Sequence, residues 1–214
     1  PRRYLIAYRH YCKYECTEAL AQINILGTVI NSTHTVKLLR ALCLLEMRRF
    51  EDAGAVFAQI RKKYPFSLDG LEYFSTVLWH LDDITGLTNL SHALEATDRQ
   101  HPATWCAIGN CMSLMNDHES AEKMFVRASQ LDKGTRKNRI YALTLLSTEL
   151  ISRCMYNEAR QLLRKIISRD RKNYRAYFNY GLVCFYQEVY SGAAIYFNEA
   201  LRIKGSDPTI LCQT

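Results

Sequence analysis

TWCAIGNCMSLMNDHESAEKMFVRA, residues 104–128, is the stretch whose reading decides the fold. It runs Trp105-x-x-Ile108-Gly109-x-x-Met112, then Ala121-x-x-x-Phe125 and Ala128. Apolar residues three and four apart predict two amphipathic helices, A and B, joined by a turn. Small residues at Gly109, Ala121 and Ala128 let those helices approach closely, while Trp105, Ile108 and Phe125 fill the space between them. One such match is weak, because small and large residues alternate on many helices. Recurrence is the test.

With Pro102 as position 1, the pattern recurs from His34 and Leu68 upstream and from Ile140 and Tyr174 downstream, and it opens again at Pro208. The steps are 34, 34, 38, 34 and 34 residues. Position 20 is Ala19, Ala53, Leu87, Ala121, Ala159 and Ala193, and position 8 is Ala7, Ala41, Ser75, Gly109, Ser147 and Gly181. A small-residue lattice at a 34-residue period is the signature of tetratricopeptide repeats (TPR). The fold class expected is therefore all-α, a right-handed superhelix of antiparallel helix pairs. The expected organisation is a single TPR array over residues 1–214, with repeats at about 1–33, 34–67, 68–101, 102–139, 140–173 and 174–207 and the start of a seventh from 208. The third repeat is degenerate, with Leu87 for the small residue and Ser91 for the aromatic. The four extra residues fall at 133–139, a basic stretch expected to be a surface loop. Asp98, Asp132 and Asp170 suit turns or caps where helix B closes.

Bulk composition agrees. Hydrophobic residues are 48% and charged residues 23% of the chain, with four prolines, which favours packed helices over disorder or a loop-rich β fold. No apolar run reaches the ~18 residues of a membrane span, and no signal peptide opens the chain. Pro1 in place of a Met marks the chain as an expected fragment. Of eight cysteines, Cys43, Cys106, Cys111, Cys154 and Cys184 fall in helix A patterns, so reduced thiols and a nuclear and cytoplasmic location are expected. The net charge of +7 permits an acidic partner without requiring one.

Catalytic signatures are missing. The sequence has no Walker loop, no G-x-G-x-x-G and no clustered Ser/His/Asp set. His10, Cys12 and Cys16 are expected to place metal-ligating types on one helical face, but a fourth ligand and the paired C-x-x-C spacing are lacking. The expectation is a non-enzyme with no cofactor and no metal.

Binding is the better reading, because helix A positions 2, 5, 9 and 12 line the concave groove of such arrays. In the third repeat these are Asp69, Glu72, Thr76 and Trp79. Two carboxylates one helical turn apart, beside a Trp, suit an Arg side chain, through charge-assisted hydrogen bonds and stacking. The competing reading is that the acids only open a helix, where they suit its dipole. Asn110, at position 9 of the fourth repeat, suits a peptide backbone or a terminal carboxylate. Lys at position 5, which a clamp for acidic tails needs, is replaced by Leu38, Glu72, Cys106, Thr144 and Phe178.

LEYFSTVLWHL at 71–81, WCAIGNCMSL at 105–114 and the repeats that follow make the chain resemble the third-subunit family of the anaphase-promoting complex, the cell-division-cycle protein twenty-seven type. The resemblance implies a non-catalytic scaffold of a ubiquitin ligase active in mitosis and cell division. It implies other TPR subunits as partners, and a homodimer formed through repeats outside this chain. It also implies a groove that receives the C-terminal Ile-Arg tails of WD-repeat co-activators and a Doc-type subunit, with neither nucleic acid nor membrane as partner. On that footing Asp69 and Glu72 face the Arg, Asn110 faces the terminal carboxylate, and Tyr73, Trp79 or Cys106 receive the Ile, with Thr76 among the lining residues. A generic TPR adaptor and the repeat arm of a larger TPR-containing enzyme are the alternatives.

Overall fold

The computed structural model describes residues 2–131 and 135–205. Among the described residues every regular element is a helix. The chain forms two compact units, residues 1–99 and 100–214. The first holds α1 (Arg2–Tyr11), α2 (Cys16–Asn24), the single turn α3 (Thr28–Asn31), α4 (His34–Glu46), α5 (Phe50–Lys63), α6 (Leu71–His80) and α7 (Ile84–Thr97). The second holds α8 (Pro102–Leu114), α9 (His118–Gln130), α10 (Arg136–Ser152), α11 (Tyr156–Arg169), α12 (Tyr174–Tyr186) and α13 (Tyr190–Lys204). The helices alternate A, B in the 34-residue rhythm, and every helix B starts at position 17.

Inside each pair the small-residue lattice is the contact. Ala7, Ala19, Ala41, Ala53, Ser75, Ala121, Ser147 and Ala159 are wholly buried. What fills position 24 sets what position 8 tolerates. A Cβ built on Gly109 lies 2.6 Å from Cε1 of Phe125, and one on Gly181 lies 2.5 Å from Cε1 of Phe197. Where position 24 is Ile23 or Leu163, position 8 is Ala7 or Ser147. Ala41 coexists with Phe57, whose ring stacks on Phe74 at 5.3 Å. The degenerate repeat inverts the sizes, with Leu87 buried where the others carry alanine and Ser91 at position 24.

Each A helix ends in the same left-handed cap. Tyr14, Arg48, Asp82, Asn116, Cys154 and Glu188 all have φ between 57° and 62°. The next residue's N–H then reaches back to the helix, as in Arg49 N to Leu44 O at 2.9 Å and Asp117 N to Met112 O at 2.9 Å. This satisfies carbonyls that the helix end orphans and reverses the chain into helix B. Asp83 and Asp117 then cap α7 and α9, accepting from Gly86 N at 2.8 Å and Ser120 N at 3.1 Å.

Neighbouring repeats within a unit use a second set of positions. Position 17 stacks on position 13 of the following repeat, as Phe50 on His80 at 4.2 Å and Tyr156 on Tyr186 at 5.9 Å. Position 21 pairs with position 14, as Glu122 with Arg153 and Arg160 with Gln187.

Three expectations are corrected. Residues 136–139 are the first turn of α10, capped by the Thr135 hydroxyl accepting from Asn138 N at 3.3 Å, so this part of the expected loop is helix. Residues 133 and 134, and Asp132, lie outside the described residues. Cys154 is exposed and sits in the left-handed cap position after α10, not inside helix A. His10, Cys12 and Cys16 do not share a helical face, because the chain turns between α1 and α2. His10 Nδ1 meets Glu15 Oε2 at 2.6 Å, while Cys16 is buried in the core with Cys43.

Candidate functional site

The groove residues expected from the sequence divide between the two units. Asp69, Glu72, Tyr73, Thr76 and Trp79 belong to the first, and Cys106 and Asn110 to the second.

In the first unit, helix α6 is ten residues long where α4 has thirteen, because Gly70 ends the preceding turn at φ 78° and only then does the helix begin. A side chain at 70 is excluded on two counts. The left-handed backbone disfavours it, and a Cβ lies 2.4 Å from Cδ1 of Leu38. Asp69 is therefore exposed in the turn and does not share a helical face with Glu72. This corrects the expectation of two carboxylates one helical turn apart.

Glu72 in contrast is 3% exposed, and its Oε2 has no hydrogen-bond partner. Burial pushes its carboxyl up to about 7, with the negative charge of Asp69 adding to the rise and a backbone N–H opposing it. The favourable helix N-terminus is thus outweighed by the loss of water. The Glu72 carbonyl accepts from Ser75 Oγ at 2.9 Å and Thr76 Oγ1 at 3.2 Å, which directs the Thr76 hydroxyl toward backbone. Tyr73 and Trp79 are half-buried, and the Trp79 ring meets His80 edge-on at 5.1 Å.

In the second unit, Cys106 is 1% exposed and packs with Ala128 and Ala142, flanked by Trp105 and Leu145. It is a core thiol between α8, α9 and α10. Asn110, on the same helix, is also buried. Trp105 lies under the Arg127 guanidinium, 4.3 Å from ring centroid to Cζ.

Two polar networks of this unit escaped the sequence reading. Glu149, buried in α10, accepts from Ser113 Oγ at 2.6 Å and contacts His118 Nδ1 at 2.8 Å, tying α8, α9 and α10 together. Its signal was available, as a lone acid in an otherwise uncharged helical run. Asn179 of α12 donates to Ser147 Oγ at 2.9 Å and Thr148 Oγ1 at 3.2 Å, and Asn173 donates to Thr144 Oγ1 at 3.4 Å. At the same end of α12, beside its cap Asn173, the Tyr174 hydroxyl accepts from Lys204 Nζ at 2.8 Å and Arg175 Nε at 3.0 Å. No group of three His, Cys, Asp or Glu placed to hold a metal occurs among the described residues. None of the described helices is long and apolar enough to cross a membrane.

Tetratricopeptide-repeat models match residues 36–67 and 156–208. Over 97% of its length the chain is 31% identical to Protein bimA of Emericella nidulans, and over 86% it is 32% identical to the cell division cycle protein 27 homolog of Caenorhabditis elegans. The chain belongs to the cell division cycle protein 27 family. It spans 25% and 23% of those two relatives, so about a quarter of a family member's length is in hand. The crystal structure of the APC/C hetero-tetramer Cut9–Hcn1 superposes with a TM-score of 0.68 at 14% identity, covering 99% of this chain and 41% of that one. This likeness carries the TPR fold. The family and the fold agree with the resemblance read from residues 71–81 and 105–114.

Proposed function

We propose that this stretch of a cell division cycle protein 27-type chain is a non-catalytic scaffold segment of the anaphase-promoting complex ubiquitin ligase, acting in the nucleus and cytoplasm. Its A-helix face receives C-terminal Ile-Arg tails, those of WD-repeat co-activators and a Doc-type subunit being the partners implied by the family resemblance. The observation that carries this reading is Glu72. A carboxylate that is 3% exposed, with one oxygen lacking a partner, is costly as it stands, and a guanidinium supplies a charge-assisted N–H donor for that oxygen. Within the first unit, Tyr73, Trp79, Thr76 and Asp69 are the candidate lining near the acid, and within the second unit Asn110 is a separate candidate for a peptide's terminal carboxylate. Cys106 serves this surface as packing beneath Trp105.

The chemistry gives the binding a pH signature. Free Glu72 holds its proton up to about pH 7, and pairing with Arg requires that the proton leave. Affinity for an Ile-Arg tail therefore rises about tenfold per unit between pH 5.5 and 6.5 and flattens above 7. Fluorescence anisotropy of a labelled peptide ending in Ile-Arg, against the same peptide amidated, measures this directly. Tight binding of the free acid alone, lost in Glu72→Gln and weakened in Asn110→Ala, is the expected result. A flat pH profile with Glu72→Gln indistinguishable from the parent would remove Glu72 from the site.

A further inference from the structure

The four residues that lengthen the fourth repeat become one additional helical turn. Helices α8 and α12 have 13 residues each, whereas α10 has 17 and begins four positions earlier. Four residues at 1.5 Å each carry α10 about 6 Å beyond the usual edge of a repeat. That turn reads Arg136-Lys137-Asn138-Arg139 and has no acid. Bases there oppose the helix dipole, so helix formation alone does not account for them.

The same edge collects bases from the neighbouring helix ends. In antiparallel pairs the start of each A helix lies beside the close of a B helix, and Arg136 Nη2 donates to Arg169 O at the end of α11 at 2.8 Å. Arg171 and Lys172 follow in the turn, and Arg175 lies in the first turn of α12. Arg136, Lys137, Arg169, Arg171 and Lys172 are all exposed. Among the described residues, two acids near this edge are engaged locally. Asp170 Oδ1 accepts from Lys172 N at 3.1 Å, and Glu199 pairs with Arg202 at 2.9 Å. Residues 100–214 hold 16 Lys and Arg against 10 Asp and Glu, whereas residues 1–99 hold 12 against 11, so nearly all the net charge of +7 belongs to the second unit.

We propose that the extra turn of α10, together with the adjoining ends of α11 and α12, is a docking ledge for an Asp- and Glu-rich segment of a protein partner. The alternating Arg forks and Lys charges suit carboxylates spaced along an extended chain. Single-stranded nucleic acid needs open aromatic faces as well as charge. The rings at this edge are covered, because the Arg175 guanidinium sits 5.7 Å from the Tyr141 centroid and 5.6 Å from that of Tyr174, with Lys204 Nζ 4.2 Å over Tyr174. Its occupant has the opposite charge to an Arg-ended tail.

The test uses the 214-residue chain and a labelled 16-residue peptide of alternating Glu and Ser, read by anisotropy at about 50 mM salt. A peptide with Gln for Glu and a 16-nucleotide single-stranded DNA are run beside it. Lys137→Glu combined with Arg171→Glu is expected to weaken the Glu peptide at least tenfold, and the milder Lys137→Gln with Arg171→Gln by a smaller factor. Lys13→Glu with Lys62→Glu, an equal charge change in the first unit, is expected to alter binding less than twofold. Circular dichroism verifies that each variant is folded. Equal losses in both Glu pairs, equal binding of the Gln peptide, or tighter binding of the DNA would each overturn the proposal.

Discussion

At the scale of single residues, Glu72 and Gly109 show two ways in which a buried position constrains its occupant. The folded chain holds the Glu72 proton up to about pH 7, against 4.5 for an ordinary glutamate. Its contribution to stability is therefore complete below about pH 4.5 and declines as pH rises to 7, by about 3 kcal/mol at most. Glu72→Gln keeps the shape and removes the titration. Urea melts should show the variant more stable than the parent at pH 8, and the gap should close by pH 5. A gap that widened on acidification would contradict the burial argument. Gly109 is constrained by volume instead. Alanine improves helix propensity by about 1 kcal/mol, but its methyl would sit 2.6 Å from a Phe125 ring that is 1% exposed. Gly109→Ala is expected to lose about 1–2 kcal/mol net, and the double variant Gly109→Ala/Phe125→Leu to recover part of it, following the Ser147–Leu163 pairing of the fifth repeat. A strictly additive double-mutant cycle would show that the ring does not set the size of position 109.

At the scale of elements, the left-handed cap after each A helix is the feature most regular in space and least visible in the sequence. Its six occupants are Tyr, Arg, Asp, Asn, Cys and Glu, and none is glycine. A non-glycine residue there costs roughly 1 kcal/mol, except that Asn and Asp tolerate it better. The exposed Glu188, with φ 62°, is the cleanest test. Glu188→Gly should raise the denaturation midpoint by the equivalent of about 0.5–1 kcal/mol, and Glu188→Val should lower it. The residue types gave no hint of this cap, because the six back-hydrogen bonds impose it whatever the side chain. Elsewhere the reading went further. Positions 8, 20 and 24 were legible because a close helix contact restricts volume directly, which is why Gly109, Ala121 and Phe125 alone announced the pattern. Of the expected loop at 133–139, residues 136–139 are helix, since Arg136, Lys137 and Arg139 read as loop by charge although Thr135 caps them into helix. Of the groove residues, Glu72 stood out by type. Its burial could not be read, because Gly70 and not Asp69 marks where α6 begins.

At the scale of the whole molecule, charge is the property that the repeats do not share equally. The 34-residue lattice makes the cores of successive pairs alike, while their surfaces differ freely, and the excess of bases falls almost wholly in residues 100–214. Crowding like charges along one edge raises the free energy of the folded chain relative to the expanded one, in which they move apart. Salt screens that repulsion once the Debye length falls from ~20 Å toward ~6 Å. Raising NaCl from about 20 to 300 mM should therefore raise the thermal midpoint. Screening worth about 1 kcal/mol corresponds to roughly 2–4 °C for a chain of this size. Paired surface bridges such as Lys123–Glu119 and Arg202–Glu199 oppose the trend, but they are exposed i,i+3 and i,i+4 pairs of small worth. Lys137→Glu with Arg171→Glu should raise the midpoint at low salt and flatten its salt dependence, whereas Lys13→Glu with Lys62→Glu should leave most of that dependence in place. A midpoint that falls with added salt in the parent chain would mean that attractive pairs dominate its surface, and that the basic edge carries no electrostatic strain for a partner to relieve.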